Sequence, residues 1–232
     1  MRAKSSLLAF VAGLLSIGAA HARNPEPLRI SRSEPVKIQN PLGRVVLVHG
    51  FLETGTAFNT LRKRLERHGY ECIVPRLSPC DGRGGLEALA EGLKRDIDAA
   101  FGPDEPIRVV GFSMGGVVSR YYLQKLGGAA RCEKFFTIAS PHNGTHAAWL
   151  YPSKGVKQMR PGSEFLNDLD ETEHVLGKMP VVSYRTPLDL IILPATSSIW
   201  ERAENFHYPV LLHPLMLSSP RVLADLEKRL RD

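Results

Sequence analysis

Gly111-Phe112-Ser113-Met114-Gly115, with a further glycine at 116, is the stretch on which the reading of this chain turns. Ile107-Arg108-Val109-Val110 precedes it, a short apolar and β-branched run that predicts a buried strand. Val117 to Gln124 follows and predicts a helix that stops at Gly127-Gly128. Strand, tight turn and helix around G-x-S-x-G is the setting in which a serine is held out as a nucleophile. Small residues flank such a serine because neighbouring backbone comes too close for a Cβ. Its Oγ then stands above the carboxyl ends of the strands, and the following helix aims its N-terminal dipole and free N–H groups at the same place.

Outward from this stretch, strands and helices alternate. Arg44-Val45-Val46-Leu47-Val48 is a continuous apolar strand that runs into His49-Gly50-Phe51-Leu52. Phe58, Leu61 and Leu65 fall at helical spacing before Gly69, and Glu71 to Val74 is a second strand. Leu86, Leu89, Ala90, Leu93, Ile97 and Phe101 trace one helical stripe, stopped by Gly102-Pro103. Phe135 to Ile138 is a fourth strand, leading into Ser140-Pro141-His142-Asn143-Gly144. Val181 to Tyr184 and Val210 to Leu212 read as two more. Ser219-Pro220 opens the last helix as N-cap and first residue, with Val222, Leu223, Leu226 and Leu230 as its buried side. The alternation predicts a parallel α/β sheet with helices on both faces, and functional groups beyond the carboxyl ends of its strands. That rule singles out His49-Gly50-Phe51, Ser113, the Pro141-His142 loop, Asp189 and His213.

At 232 residues, with 43% hydrophobic residues, the chain suits one domain with a sizeable core. Residues 1–22 read as a secretory signal peptide: Arg2 and Lys4 precede an apolar segment from Leu7 to Ala20 that is short for a bilayer span, and Ala20-His21-Ala22 is a cleavage pattern. Export after cleavage at Ala22 is therefore expected, with 23–41 as an extended lead-in and 42–232 as the folded domain. Of the formal charge of +6, two positive charges leave with that segment. The remaining basic residues are scattered along solvated helix faces, so no nucleic-acid footprint is present. Three cysteines in an exported chain allow at most one internal disulfide. Cys72 and Cys132 start strands with two others between them, roughly 14 Å apart by strand spacing and too far to bridge, which leaves Cys72–Cys80 as the plausible pair. No ligand spacing suggests zinc, and neither metal nor cofactor is expected.

The chain resembles the α/β-hydrolase family, and within it the compact bacterial lipases and esterases. The residues that carry the resemblance are Val-His-Gly-Phe at 48–51, Gly-Phe-Ser-Met-Gly-Gly at 111–116, Ser-Pro-His-Asn-Gly-Thr at 140–145, Pro-Gly-Ser-Glu-Phe-Leu at 161–166, and an Asp-then-His order near the end. It implies a single-domain α/β-hydrolase fold with a mostly parallel central sheet and a small cap segment. It also implies an exported serine hydrolase that cleaves carboxylic esters, as a lipase or esterase, through an acyl-enzyme on Ser113.

A serine hydroxyl needs a base. His213 follows a predicted strand, precedes the last helix and matches the family's chain order Ser, Asp, His; His207 is its rival. Asp189, among apolar neighbours and 24 residues before His213, is the acceptor that would fix the base's tautomer. Met114, first in the helix, offers one N–H to the developing oxyanion, and the resemblance implies that Phe51 offers the second. Between Asn143 and Val175 the chain is longer than a parallel crossover requires. Part of it is expected to form the cap, with Ser163 capping a short helix and Trp149, Phe165 and Leu166 lining an acyl pocket. The partners expected are a small-molecule ester or lipid substrate and transient contact with a lipid surface, and the protein is expected to be a monomer. An acyltransferase or thioesterase with the same triad would read identically, and a catalytically silent fold that binds a lipid or partner protein is the alternative of another class.

Overall fold

Six short strands, all hydrogen-bonded to parallel neighbours, carry the site. The computed structural model describes residues 38–232, so the expected signal peptide and nearly all of the expected lead-in lie outside the described residues. The strands are β1 (Gly43–Val48), β2 (Tyr70–Ile73), β3 (Ile107–Phe112), β4 (Cys132–Ile138), β5 (Val181–Arg185) and β6 (Glu204–His207), in the order β2-β1-β3-β4-β5-β6. Each of the five pairs is parallel. β3, which ends at the serine, lies inside the sheet between β1 and β4.

Alternate residues of each strand feed two separate cores, because successive side chains of a strand point to opposite faces. Val46, Val48 and Val109 pack with helices α2 (Leu86–Phe101) and α3 (Met114–Lys125) on one face. Val45, Leu47 and Val110 pack with α1 (Asn59–Arg67) and α6 (Pro220–Arg231) on the other. The six residues of the expected stripe on α2 are all buried, as are Val222, Leu223, Leu226 and Leu230 on α6. Between the two outer helices, the Arg64 guanidinium forms an ion pair with the buried Glu227. Ser219 and Pro220 open α6 as read, although the Ser219 side chain makes no capping bond.

Two expectations are corrected. The last strand is Glu204–His207, and Val210 to Leu212 is irregular, with Leu211 largely exposed. Pro209 has no N–H to give a ladder and separates the two stretches, while the true strand, on the sheet edge, hides its pattern behind Glu204 and Asn205. The three cysteines are free. Cys72 packs into the core beside α1 and α6, where burial pushes its thiol up to about 12. Cys80 lies beyond the end of β2, in a turn whose carbonyl accepts the Leu52 N–H at 3.0 Å.

The segment between β4 and β5 contains two helices, α4 (Lys154–Gln158) and α5 (Glu164–Glu171). Ser163 caps α5, its Oγ accepting the Leu166 N–H at 3.3 Å. Phe165, Leu166 and Leu169 of α5 join the core shared with α2 and α3.

Candidate active site

Ser113 sits at the junction of β3 and α3 with φ 53° and ψ −127°, a conformation that costs a non-glycine residue about 1–3 kcal/mol. The surroundings hold it there. The Ser113 N–H donates to the Ile138 carbonyl at 2.9 Å, and the Ser113 carbonyl accepts the Gly116 N–H at 3.0 Å. A methyl on Gly115 would collide with the Val48 and His49 carbonyl oxygens, and one on Gly111 would collide with the backbone of Gly116. The glycines of the motif therefore let the start of α3 press onto the end of β1. As first residue of α3, Met114 has no helical carbonyl to receive its N–H.

His213 and Asp189 meet from the other side. His213 Nδ1 lies 2.8 Å from Asp189 Oδ2, and both side chains are buried. Asp189 Oδ1 accepts the N–H groups of Ile191 and Ile192 at 2.8 and 2.9 Å. With its carboxylate accepting on both oxygens, Asp189 requires the proton of a neutral His213 to sit on Nδ1. Nε2 is then left as an acceptor, and it is buried with no hydrogen-bond partner. The imidazole packs on Phe112, the residue before the serine, with ring centroids 4.8 Å apart. Two threonines fix this arrangement. The Thr186 hydroxyl donates to the Val210 carbonyl at 2.6 Å, joining the start of the Asp189 loop to the approach to His213. Thr145, from the loop after β4, donates to the Ile191 carbonyl at 2.8 Å and accepts the Leu193 N–H at 2.9 Å. His213 opens a short 3-10 turn (His213–Leu217) well beyond β6, where direct attachment to a strand was expected.

The turn after β1 completes the constellation. His49 is fully buried; its Nε2 accepts the Leu77 N–H at 3.0 Å, so Nδ1 carries the proton and donates to the Gly50 carbonyl at 3.0 Å. Burial, aided by Arg76, holds the His49 pKa below the usual histidine value against the pull of the Gly50 carbonyl, which favours a neutral ring that staples the turn. Gly50 lies against the serine, since a methyl there would stand 3.1 Å from Ser113 Cβ. Among the described residues the Phe51 N–H has no hydrogen-bond partner. The Phe51 ring meets Tyr151 edge-on at 5.0 Å, and Leu52 takes a left-handed φ of 56°.

Glu53 is the residue of this site that sequence reasoning missed. Its Oε2 accepts the Gly50 N–H at 2.9 Å. The signal was present as a carboxylate directly after the apolar His-Gly-Phe-Leu run, but a charge at a loop end ordinarily means solvent.

The three residues assigned to acyl binding separate. Phe165 stacks on Tyr121 at 5.5 Å, about 12 Å along α3 from the serine by helical rise, and Leu166 is buried beside it. Trp149 remains 62% exposed, its ring covered on one face by the Arg160 guanidinium at 3.9 Å. The rival histidines lie elsewhere. His207 is exposed on β6. His142 is buried, stacked on Trp200 at 4.6 Å and bonded to Thr137 Oγ1 at 3.0 Å, and burial, then Arg120, pushes its pKa well below the usual value.

Among the described residues no group of three or more His, Cys, Asp or Glu could hold a metal ion, and no helix is long and apolar enough to cross a membrane. A family model described as the alpha/beta hydrolase fold matches residues 43–162. Among solved structures, a mature lipase of Bacillus licheniformis superposes with a TM-score of 0.68 at 17% identity, over 84% of this chain and 94% of its own. Lipase B of Aspergillus fumigatus gives 0.67 at 16% identity, over 87% of this chain and 61% of its own. A bromoperoxidase of Bacillus anthracis gives 0.63 at 15%, over 83% and 93%. At these identities the likeness is one of fold, and lipases and a bromoperoxidase share it, so the chemistry has to be argued from the site. No curated protein matches the chain by sequence.

Proposed function

The chain belongs to the α/β-hydrolase fold family, and on that footing we propose that it is a carboxylic ester hydrolase, a lipase or esterase, that works through an acyl-enzyme on Ser113. One observation carries the reading. The buried Asp189–His213 pair leaves an unprotonated, unpaired Nε2 against the residue that precedes a strained serine. A buried acceptor without a partner costs about 1–3 kcal/mol, a cost that a proton-accepting role explains.

In this reading Nε2 takes the Ser113 proton as Oγ attacks the ester carbonyl carbon. The carbonyl π pair moves onto oxygen, and the N–H groups of Phe51 and Met114 receive that charge. Asp189 stabilises the imidazolium through Nδ1–H. When the tetrahedral species collapses, the bond to the leaving oxygen breaks and that oxygen takes the Nε2 proton. Water then repeats the sequence on the acyl-enzyme, giving up its proton to Nε2 and releasing the acid and free Ser113. Loss of one oxyanion donor in such sites costs about a hundred- to a thousandfold in rate.

An ester with an apolar acyl group, or a lipid, suits the rim of this site. Leu188 and Leu190 flank Asp189, Leu211 and Leu215 flank His213, and all four are exposed. On the loop leaving β4, Trp149 is exposed and the partly exposed Tyr151 meets the Phe51 ring. Export places the enzyme where such substrates are met; a mature protein whose intact mass begins at Arg23 supports that step, and a mass that includes residues 1–22 refutes it.

The test of the reaction class is a series of p-nitrophenyl esters from acetate to decanoate on the purified chain, with products separated in the presence and absence of added alcohol. Steady release of free acid supports the reading. Transfer of the acyl group to alcohol in preference to water assigns an acyltransferase, and inertness toward every ester overturns the proposal.

A further inference from the structure

Of the consecutive N–H groups of Gly50, Phe51 and Leu52, the outer two are taken. The Gly50 N–H donates to Glu53 Oε2 at 2.9 Å, and the Leu52 N–H donates to the Cys80 carbonyl at 3.0 Å. Only the Phe51 N–H, between them, has no partner among the described residues. The mechanism above asks this group to receive the oxyanion charge, and its direction is set through its own peptide. The Gly50–Phe51 bond is trans, so the Gly50 carbonyl and the Phe51 N–H share one plane and point opposite ways. Whatever holds the carbonyl therefore aims the N–H. His49 Nδ1 holds it, at 3.0 Å.

The imidazole can do this in one tautomer alone. The Leu77 N–H, from the loop after β2, meets Nε2 at 3.0 Å, and a backbone amide only donates, so Nε2 is bare and the proton sits on Nδ1. We propose that His49 is a positioning residue for the oxyanion: with its tautomer set by Leu77, its Nδ1–H grips the Gly50 carbonyl and so turns the Phe51 N–H away from the ring and toward Ser113. The ring is fully buried, and a methyl on Gly50 would stand 3.1 Å from Ser113 Cβ, so the peptide that His49 orients borders the nucleophile. A backbone donor cannot be removed by changing the Phe51 side chain; His49 is the handle on it.

This inference rests on the ester-hydrolase reading, so the wild-type chain is first shown to hydrolyse p-nitrophenyl butyrate. An inert wild type fails that reading, whereas the variants that follow fail only this one. His49→Asn and His49→Gln separate the two bonds. The Asn amide nitrogen stands as far from Cβ as Nδ1 does and can donate to Gly50, while the Gln amide oxygen stands as far out as Nε2 and can accept from Leu77. Each variant loses one bond, so a ring that served only folding would give the two similar kcat values once both are folded. The proposal predicts that Gln lowers kcat about a hundredfold with little change in KM, and that Asn stays within about fivefold of wild type even where its melting temperature falls further. The inhibition constant of a trifluoromethyl ketone, whose adduct on Ser113 carries the oxyanion, should rise in Gln by about the factor by which kcat/KM falls. All are read below the thermal melts of the variants. A folded Gln variant within about fivefold of Asn in kcat, or with wild-type affinity for the ketone, overturns the proposal. So does a folded Asn variant that falls as far as Gln is expected to, and this arm decides alone if Gln does not fold.

Discussion

Asp189 and Thr145 grip one turn from opposite ends. Asp189 Oδ1 accepts the N–H groups of Ile191 and Ile192, and the Thr145 hydroxyl donates to the Ile191 carbonyl and accepts the Leu193 N–H. The loop after β4 therefore sets where Asp189 stands. Thr145→Val preserves shape and leaves three backbone groups without this partner: the Ile191 carbonyl and the N–H groups of Leu193 and Ala147. We expect a loss of about 1–3 kcal/mol in urea unfolding and a several-fold fall in kcat, with Thr145→Ser restoring both. Wild-type kcat in the valine variant would show that the turn holds without this hydroxyl.

Asp189→Asn tests the tautomer. An asparagine oxygen can still accept from Ile191 and Ile192, but its amide group then faces Nδ1 and forces the His213 proton onto Nε2, where the base must be bare. The expected outcome is a fall in kcat of about a thousand- to ten-thousandfold with a nearly unchanged melting temperature. Steady-state kinetics and a thermal melt, run together, check it.

Acid stability should follow His49 and His142. Burial lowers the folded pKa of both, most strongly for His142, while the unfolded chain titrates near about 6.5. Below that value the unfolded state binds protons that the folded state refuses, so stability present above pH ~6.5 is lost as pH falls toward the folded values. Urea midpoints measured from pH 7.5 to 5 should decline, and His142→Gln should show a shallower decline across the same window. A midpoint flat to pH 5 would contradict the burial of neutral rings.

Trp149 and Phe165 should part company on acyl-chain length. Trp149→Ala removes exposed apolar surface on the loop that reaches Phe51 and should flatten the preference for longer p-nitrophenyl esters, sparing acetate. Phe165→Ala empties a core position and should cost about 3–5 kcal/mol of stability with the chain-length profile unchanged. Equal profiles for Trp149→Ala and wild type would exclude Trp149 from the acyl path.

How much of this was legible in the sequence depends on what each residue signals locally. The strand before Ser113, the helix after it and the stripe on α2 carry strong periodicity, and all three stand where they were read. Asp189 could be proposed because its apolar flanks imply burial, and His213 because it matched the family's order of Ser, Asp and His; the strand expected just before His213 is absent, yet the structure pairs the two. Glu204–His207 was unreadable, since an edge strand needs no continuous apolar run. Phe165 and Leu166 were read correctly as the apolar side of a capped helix, but periodicity says only that a face is buried. That this face meets Tyr121 on α3 is a matter of tertiary packing. Glu53 was missed because its contact is with the Gly50 N–H, which no spacing announces.

The central claim is that Ser113 is the nucleophile, and mass spectrometry of the fluorophosphonate-treated chain tests it most directly. The account predicts a single adduct on the peptide containing Ser113 in the wild type, no adduct in Ser113→Ala, and ester turnover in that variant reduced to a trace while its melting temperature stays close to wild type. An adduct mapped to another residue, or a well-folded Ser113→Ala that still hydrolyses p-nitrophenyl butyrate at a substantial fraction of the wild-type rate, would contradict it.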